Sequence, residues 1–450
     1  MKNFSVLMLI FMILLSCSEN DGNGVVSSEN KQQAAIRVDS ANTALADVLN
    51  NMMQNSDQMS PGDIPDYTDV SAAHALFLEA LEKDPDNKDA HLGVALTDVM
   101  MMTQSETMDS LFEAWEDMME EGNDAFAKTT LNKMRPKLSS KLYKYNYDIE
   151  RLIDAYITIP QKAFQDPMTF SSVQEMLEEE LIPTLEESIG HLEVVLSDPD
   201  YTFMVSPALR GEDNSDSLEI DLTEVYLLKA GLHALHSLSN ISIAYTVDLP
   251  VEPTQDELMD ALAQDSDFLT LRNGKAPMQT ARTSIFSTTE AISNSMDFLM
   301  NEQDNQSNDF IPQDSLTAEN QAAIESSIDQ INLYLEIQQE YAYDLDGDGD
   351  EETIMIDAKQ IFDNPAQDLK QLLPAYTISD TTITNDYGTQ TGLVLIWEAD
   401  TYQEWTFPNP TFNGFLPNMT SSEFKTMLGI DESSWTKNVF LMSLLNDDFL

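Results

Sequence analysis

The side chains best suited to chemistry lie in one short stretch about a hundred residues before the end of the chain. Its carboxylates are Asp344, Asp346, Asp348, Asp350 and Glu352. Glycines between the aspartates allow the chain to turn sharply, so that alternate carboxylates can point at one cation. Ca²⁺ takes about six to eight oxygen ligands, and this stretch therefore predicts a calcium site. An acidic, solvated turn is the alternative, because Asp-Gly pairs also form ordinary turns.

The start of this stretch resembles an EF-hand loop. That resemblance implies side-chain ligands from the first three aspartates and a backbone carbonyl ligand from Asp350. Met355 stands at the twelfth position, where an EF-hand loop carries a bidentate Glu. The spacing is more similar to the shorter Asp-rich loops that lead into a strand, as in FG-GAP-type repeats, where the ninth residue, here Glu352, closes the site. We expect the ion to be structural and to stabilise the C-terminal part.

The N-terminus predicts where the protein resides. An apolar run over residues 4–15 follows Lys2; it is too short to span a bilayer and is typical of a signal-peptide core. Leu14-Leu15-Ser16-Cys17 resembles the lipobox of bacterial lipoproteins, which implies acylation of Cys17 and a membrane anchor. A plain secretory signal is the alternative. Cys17 is the only cysteine, so the mature chain is expected to have no disulfide.

The acidic residues just after Cys17 extend that resemblance. Glu19 and Asp21 resemble the short acidic export signal of surface lipoproteins in Bacteroidota-like bacteria. We therefore expect an outer-membrane lipoprotein and leave open whether it faces the surface or the periplasm. Residues 18–30 are polar and rich in Gly and Ser, as a flexible tether would be.

The charge of the chain limits its partners. Acidic residues number 79 and basic residues 22, which gives a formal net charge of −57. Such a chain repels phosphate backbones and anionic lipid surfaces, so we expect no nucleic-acid partner. Solubility, adaptation to a salty medium or affinity for divalent cations would each explain the excess.

The elements that must position these residues are mostly helical. Residues 71–100 predict two helices joined by an Asp-Pro-Asp-Asn turn, with Ala73, Phe77, Ala80 and Leu81 on one face. Together with Pro85, this spacing resembles a tetratricopeptide repeat (TPR), which implies an array of helix pairs. An ordinary helical hairpin is the alternative. Apolar periodicity predicts further helices over residues 31–55, 111–119, 141–157, 173–196, 223–245, 280–300 and 318–343.

Other parts of the chain predict irregular or mixed structure. Residues 198–219 carry loop chemistry, and residues 301–316 are polar and predict a linker or long loop. β-Branched runs at residues 352–357 and 392–398 predict strands. The fold class is therefore mainly α, a TPR-like helical hairpin array with a smaller C-terminal mixed α/β part. The expected divisions are signal peptide 1–17, tether 18–30, helical domain 31–343, and calcium loop with C-terminal part 344–450.

Three further groups of residues allow both a structural and a functional interpretation. His233 and His236 lie three residues apart on a predicted helix, where they either pack at a helix interface or share a transition metal. Methionine clusters at residues 100–102 and 118–119 fit core packing or an adaptable groove. Aromatic side chains between Trp397 and Phe415 form either a small core or a platform for a sugar or peptide.

The sequence predicts a binding protein rather than an enzyme. No GxSxG, Walker A or GxGxxG motif is present. A helical array offers a broad concave surface, so we expect a lipid-anchored scaffold for a protein or peptide partner. Residues 226–250 resemble the helix before a Pro in SusD-like lipoproteins, which implies surface capture of a glycan or nutrient as the alternative. A calcium-dependent hydrolase is the third reading.

Overall fold

The computed structural model describes residues 26–55, 69–103, 169–205, 217–250, 255–303, 308–313, 316–343, 352–385, 388–397 and 406–427. These residues are mainly helical. The helices are α1 (Ser28–Asn55), α2 (Ser71–Lys83), α3 (Lys88–Thr103), α4 (Phe170–Met176), α5 (Ile182–Leu196), α6 (Leu222–Ser242), α7 (Gln255–Gln264), α8 (Ala276–Asn301), α9 (Ala318–Glu336), α10 (Lys359–Asp363) and α11 (Ser421–Met427). The strands are β1 (Phe203–Val205), β2 (Leu218–Ile220), β3 (Gln339–Tyr343), β4 (Glu352–Ile356), β5 (Tyr376–Asn385) and β6 (Gly388–Trp397).

The predicted helix pair is present as α2 and α3. Ala73, Phe77 and Ala80 are buried along one face of α2, as the spacing predicted. The pair can approach closely because α3 presents Gly93, which has no side chain, to the ring of Phe77. Helix α1 packs against α2, and α3 packs against α5, so the pair has a helical neighbour on each side.

The stretch from residue 170 to residue 196 is interrupted near its middle. A short π-helical segment, Leu177–Leu181, separates α4 from α5. Pro183 lies in the first turn of α5, where its missing N–H costs no hydrogen bond. Leu181 has helical backbone angles, so the π-helical segment leads into α5 without an extended residue between them.

Three antiparallel pairs of strands accompany the helices in the described residues. Strands β5 and β6 pair over ten residues each, from Tyr376 opposite Trp397 to Asn385 opposite Gly388. Strands β1 and β2 lie at the two ends of residues 198–219, so the expectation of loop structure alone was wrong there. The backbone N–H and C=O groups of Phe203–Val205 and Leu218–Ile220 pair with each other in a ladder. The loop-forming residues between them in the sequence did not indicate this pairing.

The structure also corrects the long helix predicted over residues 318–343. Helix α9 ends at Glu336, and residues 339–343 form β3 instead. Helical spacing places Ile324, Ile328, Ile331 and Leu335 in one stripe along α9. Only Ile328 and Leu335 are buried, because the neighbouring elements cover one edge of the stripe.

Two compact units divide the chain. The first comprises Met1–Gln165, Glu179–His236 and Ser284–Glu325, and the second comprises Asp166–Glu178, Ser237–Thr283 and Ser326–Leu450. Among the described residues, no helix combines the length and apolar character needed to cross a membrane. Cys17 and the helices predicted over residues 111–119 and 141–157 lie outside the described residues.

Candidate functional site

The Asp-rich stretch connects two paired strands. Strands β3 and β4 are antiparallel, and their register runs from Gln339 opposite Ile356 to Tyr343 opposite Glu352. Residues 344–351 therefore link the two ends of a β-hairpin, and Asp344, Asp346, Asp348 and Asp350 themselves lie outside the described residues. Glu352, the last of the expected ligands, is the first residue of β4. A strand thus follows the Asp-rich stretch, whereas an EF-hand loop is followed by a helix.

The hairpin is fixed to the C-terminal aromatic core. Ile354 and Ile356 of β4 pack against a buried cluster formed by Phe407, Leu416, Met419 and Phe424. The Asp357 N–H donates to the carbonyl of Phe415 at 2.8 Å. Any ion that orders residues 344–351 would therefore also stabilise this core through β4.

The aromatic residues of this region form a core where the structure describes their side chains. Phe407 is buried and meets Phe424 edge-on, with ring centroids 4.8 Å apart. Phe412 contacts the same ring with centroids 4.9 Å apart. Packing of this kind was the structural alternative to a ligand platform. In this core the rings contact one another rather than a ligand.

Helix α9 leads into the hairpin and carries an exposed surface of unusual composition. Helical spacing places Asp329, Leu333, Glu336 and Ile337 side by side, and all four are exposed. Glu340 of β3 follows along the chain and is also exposed. Tyr341 points to the other face of β3, where it lies opposite Ile354. We call Asp329, Leu333, Glu336, Ile337 and Glu340 the outer face; all belong to the second unit. Leu333 is 43 % exposed, Ile337 54 % and Tyr341 46 %.

The opposite side of α9 is fixed within the second unit. Ile328 and Leu335 are its buried side chains. The Arg282 guanidinium donates to the carbonyl of Leu335 through Nε at 3.0 Å and Nη2 at 2.7 Å. It also reaches Asp363 at 3.4 Å. A cation on the last carbonyls of a helix is favourable, so Arg282 holds the C-terminus of α9 in place.

Histidines converge in the first unit. Nδ1 of His91 on α3 lies 2.6 Å from Nδ1 of His191 on α5. Nε2 of His91 lies 2.8 Å from the carbonyl of Pro85, which can only accept. In the neutral pair, His91 therefore carries its proton on Nε2, and Nδ1–H of His191 donates to His91. Burial lowers the pKa of His91, and it lowers that of His191 to about 4.

A second group of polar side chains lies nearby on α2, α3 and α5 and consists of His74, Thr97, Asp98 and Ser188. The Thr97 hydroxyl donates to the Gly93 carbonyl, so its oxygen accepts from Nδ1 of His74 at 2.9 Å. That nitrogen is also 3.4 Å from Asp98. Burial raises the pKa of Asp98 to about 7, although Ser188 donates a hydrogen bond to it at 3.2 Å. Asp98 lies between Ser188 and His74, so this is not the order of a hydrolytic triad, in which His contacts Ser.

His233 and His236, the pair singled out in the sequence, contact different partners. His236 is buried, with Nδ1 2.8 Å from the Ser284 hydroxyl and Nε2 3.4 Å from Glu186. Burial lowers the pKa of His233 to about 4, and the charge of Lys229 adds to this effect. In the part of the chain that the structure describes, no three His, Cys, Asp or Glu side chains are grouped so that they could hold a metal ion.

Sequence reasoning missed both the histidine cluster and the outer face. His74 and His91 lie on neighbouring helices, but His191 is a hundred residues away, so no local spacing joins them. The outer face did have a signal. Leu333 and Ile337 are four residues apart and lie off the isoleucine stripe, with Asp329 and Glu336 beside them.

Comparisons with protein-family models, with curated proteins and with solved structures found no significant match for this chain. The resemblances to bacterial lipoproteins, TPR helices, Asp-rich calcium loops and SusD-like proteins therefore stay predictions.

Proposed function

We propose that this chain is a lipid-anchored binding protein of the bacterial outer membrane, with Cys17 as the acylated residue. Its TPR-like helices form a scaffold for a protein or peptide partner. A Ca²⁺ ion bound by the carboxylates at positions 344, 346, 348, 350 and 352 stabilises the C-terminal part. The chain acts by binding and does not catalyse a reaction.

The outer face is the observation that carries this proposal. Two large apolar side chains, Leu333 and Ile337, are about half exposed and lie four residues apart. Scattered exposed apolar residues are ordinary, but a run on one helix face rimmed by polar residues is typical of a protein-binding surface. Arg282 and the buried Leu335 hold α9 from its other side, so this surface is presented on a fixed element.

Helix pairing supports the TPR-like part of the proposal. In α2, Ala73, Phe77 and Ala80 are buried at the spacing that the repeat uses, and Gly93 of α3 allows close contact with Phe77. Repeats of this type stack on their neighbours, and α1 and α5 provide such neighbours here.

The paired strands support the calcium part. Because Tyr343 and Glu352 are opposite each other in the ladder, the ends of the Asp-rich stretch are held together. Five acidic side chains in the eight residues between them would repel one another, and a hard divalent cation with oxygen ligands removes that repulsion. The charge left on the rest of the surface favours solubility.

Packing of the aromatic residues favours a peptide over a glycan as the partner. Sugar rings stack on exposed aromatic faces, but Phe407, Phe412 and Phe424 contact one another within a core. Among the described residues, the large apolar side chains that remain exposed are Ile or Leu, apart from Met101 and Tyr341.

Two measurements test this function. Membrane fractionation should find the wild-type protein with the outer membrane and Cys17→Ser in the soluble fraction; equal distribution would contradict lipid anchoring. Solubilised native complexes should then contain a stoichiometric partner with the wild type and lose it with L333S/I337S. The matched control is I36S/L78S, which changes two exposed apolar residues of α1 and α2 and should retain the partner. Equal loss from both variants would contradict binding at the outer face.

A further inference from the structure

The outer face joins exposed apolar side chains with carboxylates and has no cation of its own. Asp329 lies one turn before Leu333, and Glu336 lies three residues after it, so both carboxylates adjoin the same apolar side chain. Glu340, in β3, follows Ile337 by three residues. Neither α9 nor β3 contains a Lys or an Arg. These carboxylates have no opposite charge on their own elements.

We propose that the outer face binds a cationic amphipathic segment of a protein partner, one that places Lys or Arg beside Leu- or Ile-type side chains. This inference rests on the proposed function and adds the chemistry of the partner. Apolar side chains of the partner contact Leu333 and Ile337. Its cations lie at the rim against Asp329, Glu336 and Glu340.

Apolar contact and charge have separate roles in this interface. Burial of the exposed aliphatic groups supplies most of the binding free energy. Rim carboxylates contribute less to affinity, but they steer the encounter and select against partners of the same charge. A partner with apolar residues and no cations would leave three carboxylates near a desolvated surface without compensation.

Charge also argues against a second copy of this chain, a nucleic acid or an anionic lipid surface as the partner of the outer face. A second copy of this chain would bring another formal charge of −57 to the interface. Nucleic acids and anionic lipid surfaces are repelled for the same reason. A basic protein segment is the occupant that satisfies both the apolar and the acidic components.

Two synthetic peptides of equal length test the inference on the full-length protein. One is an amphipathic helix of Leu and Lys, and the other has Gln in place of each Lys. We expect the Lys peptide to bind about tenfold more tightly than the Gln peptide at physiological salt, as a few rim ion pairs together would give. The triple variant D329N/E336Q/E340Q should remove most of this difference, and L333S/I337S should weaken both peptides. Fluorescence anisotropy measures each Kd.

A matched variant separates this site from the general charge of the chain. E82Q/E180Q/E290Q removes the same number of charges from exposed helical positions in the first unit and should retain the tenfold preference. An equal loss in this control, or no saturable binding of the Lys peptide to the wild type, overturns the inference. If both peptides bind equally and only L333S/I337S weakens them, the inference fails but peptide binding at the outer face stands. If L333S/I337S weakens neither peptide, the proposed binding surface fails as well.

Discussion

The Nδ1 atoms of His91 and His191 lie 2.6 Å apart and share one proton between α3 and α5. Pro85 fixes the proton of His91 on Nε2, so the facing nitrogen is an acceptor. The pair joins residues a hundred positions apart. Other ionisable groups around it are His74 and Asp98 from α2 and α3, Glu187 from α5, and Asp84, Asp86 and Lys88 from the turn and start of α3.

Acid should destabilise the fold through His191. Burial, reinforced by His91 and His74, lowers its pKa from 6.5 to about 4. The unfolded chain binds a proton at this position below pH 6.5 and the folded chain only near pH 4, so stability is lost as the pH falls through this range. His191→Asn keeps an N–H donor but cannot titrate. Between pH 7 and 4, urea unfolding should show the wild type losing about 1–2 kcal/mol more than this variant, less than the full shift because solvent screens the group. Parallel pH profiles would contradict the shared proton.

Asp98 should lower the stability of the fold as the pH rises, which is the opposite of the effect of His191. Burial raises its pKa from 3.8 to about 7, so the folded chain keeps a proton that the unfolded chain has lost, and stability falls as the pH rises through this range. Asp98→Asn is uncharged throughout. We expect equal stability near pH 4 and a variant more stable by about 2 kcal/mol at pH 8, less than the full shift because solvent screens the group. A destabilised variant at pH 8 would show that the ionised carboxylate is needed.

Gly93 should tolerate no side chain. A Cβ at this position would clash with the Phe77 ring, whereas a Cβ at Gly190 in α5 would meet nothing within 4 Å. We expect Gly93→Ala to cost about 1–3 kcal/mol through overpacking, despite the better helix propensity of Ala. Gly190→Ala should instead stabilise the protein by up to about 1 kcal/mol. Thermal unfolding of the two variants compares them directly; equal effects would be inconsistent with the contact between α2 and α3.

Ca²⁺ should stabilise the C-terminal core. A bound ion would order residues 344–351, and β4 carries Ile354 and Ile356 into that core. We expect millimolar Ca²⁺ to raise Tm by several degrees and EDTA to reverse the rise. Asp346→Asn with Asp348→Asn should abolish the response, while the exposed control E82Q/E290Q keeps it. An unchanged response in the Asp346 and Asp348 double variant would exclude this stretch as the site.

Helices could be predicted from the sequence because the residues that specify a helix lie close together along the chain. The pair α2 and α3 follows from the spacing of Ala73, Phe77 and Ala80 and from Pro85, all within thirty residues.

Burial and long-range contacts could not be predicted in the same way. Ile324 and Ile331 share a stripe with the buried Ile328, yet both are exposed, because the packing of other elements decides which edge of α9 is covered. The pairing of His91 with His191 depends on how α3 meets α5. Strands β1 and β2 depend on pairing across a loop, which a short apolar run does not specify.

Site-specific photocross-linking in living cells of the source organism tests partner binding at the outer face most directly. A photoreactive amino acid would replace Leu333 or Ile337 in turn, and Ile36, which is exposed to a similar extent in the first unit, would be the control. We predict one dominant protein adduct at positions 333 and 337 that is absent at position 36, with the cross-linked peptide carrying Lys or Arg beside apolar residues. No adduct specific to positions 333 and 337, or the same adducts at position 36, would contradict a partner-binding role for this surface.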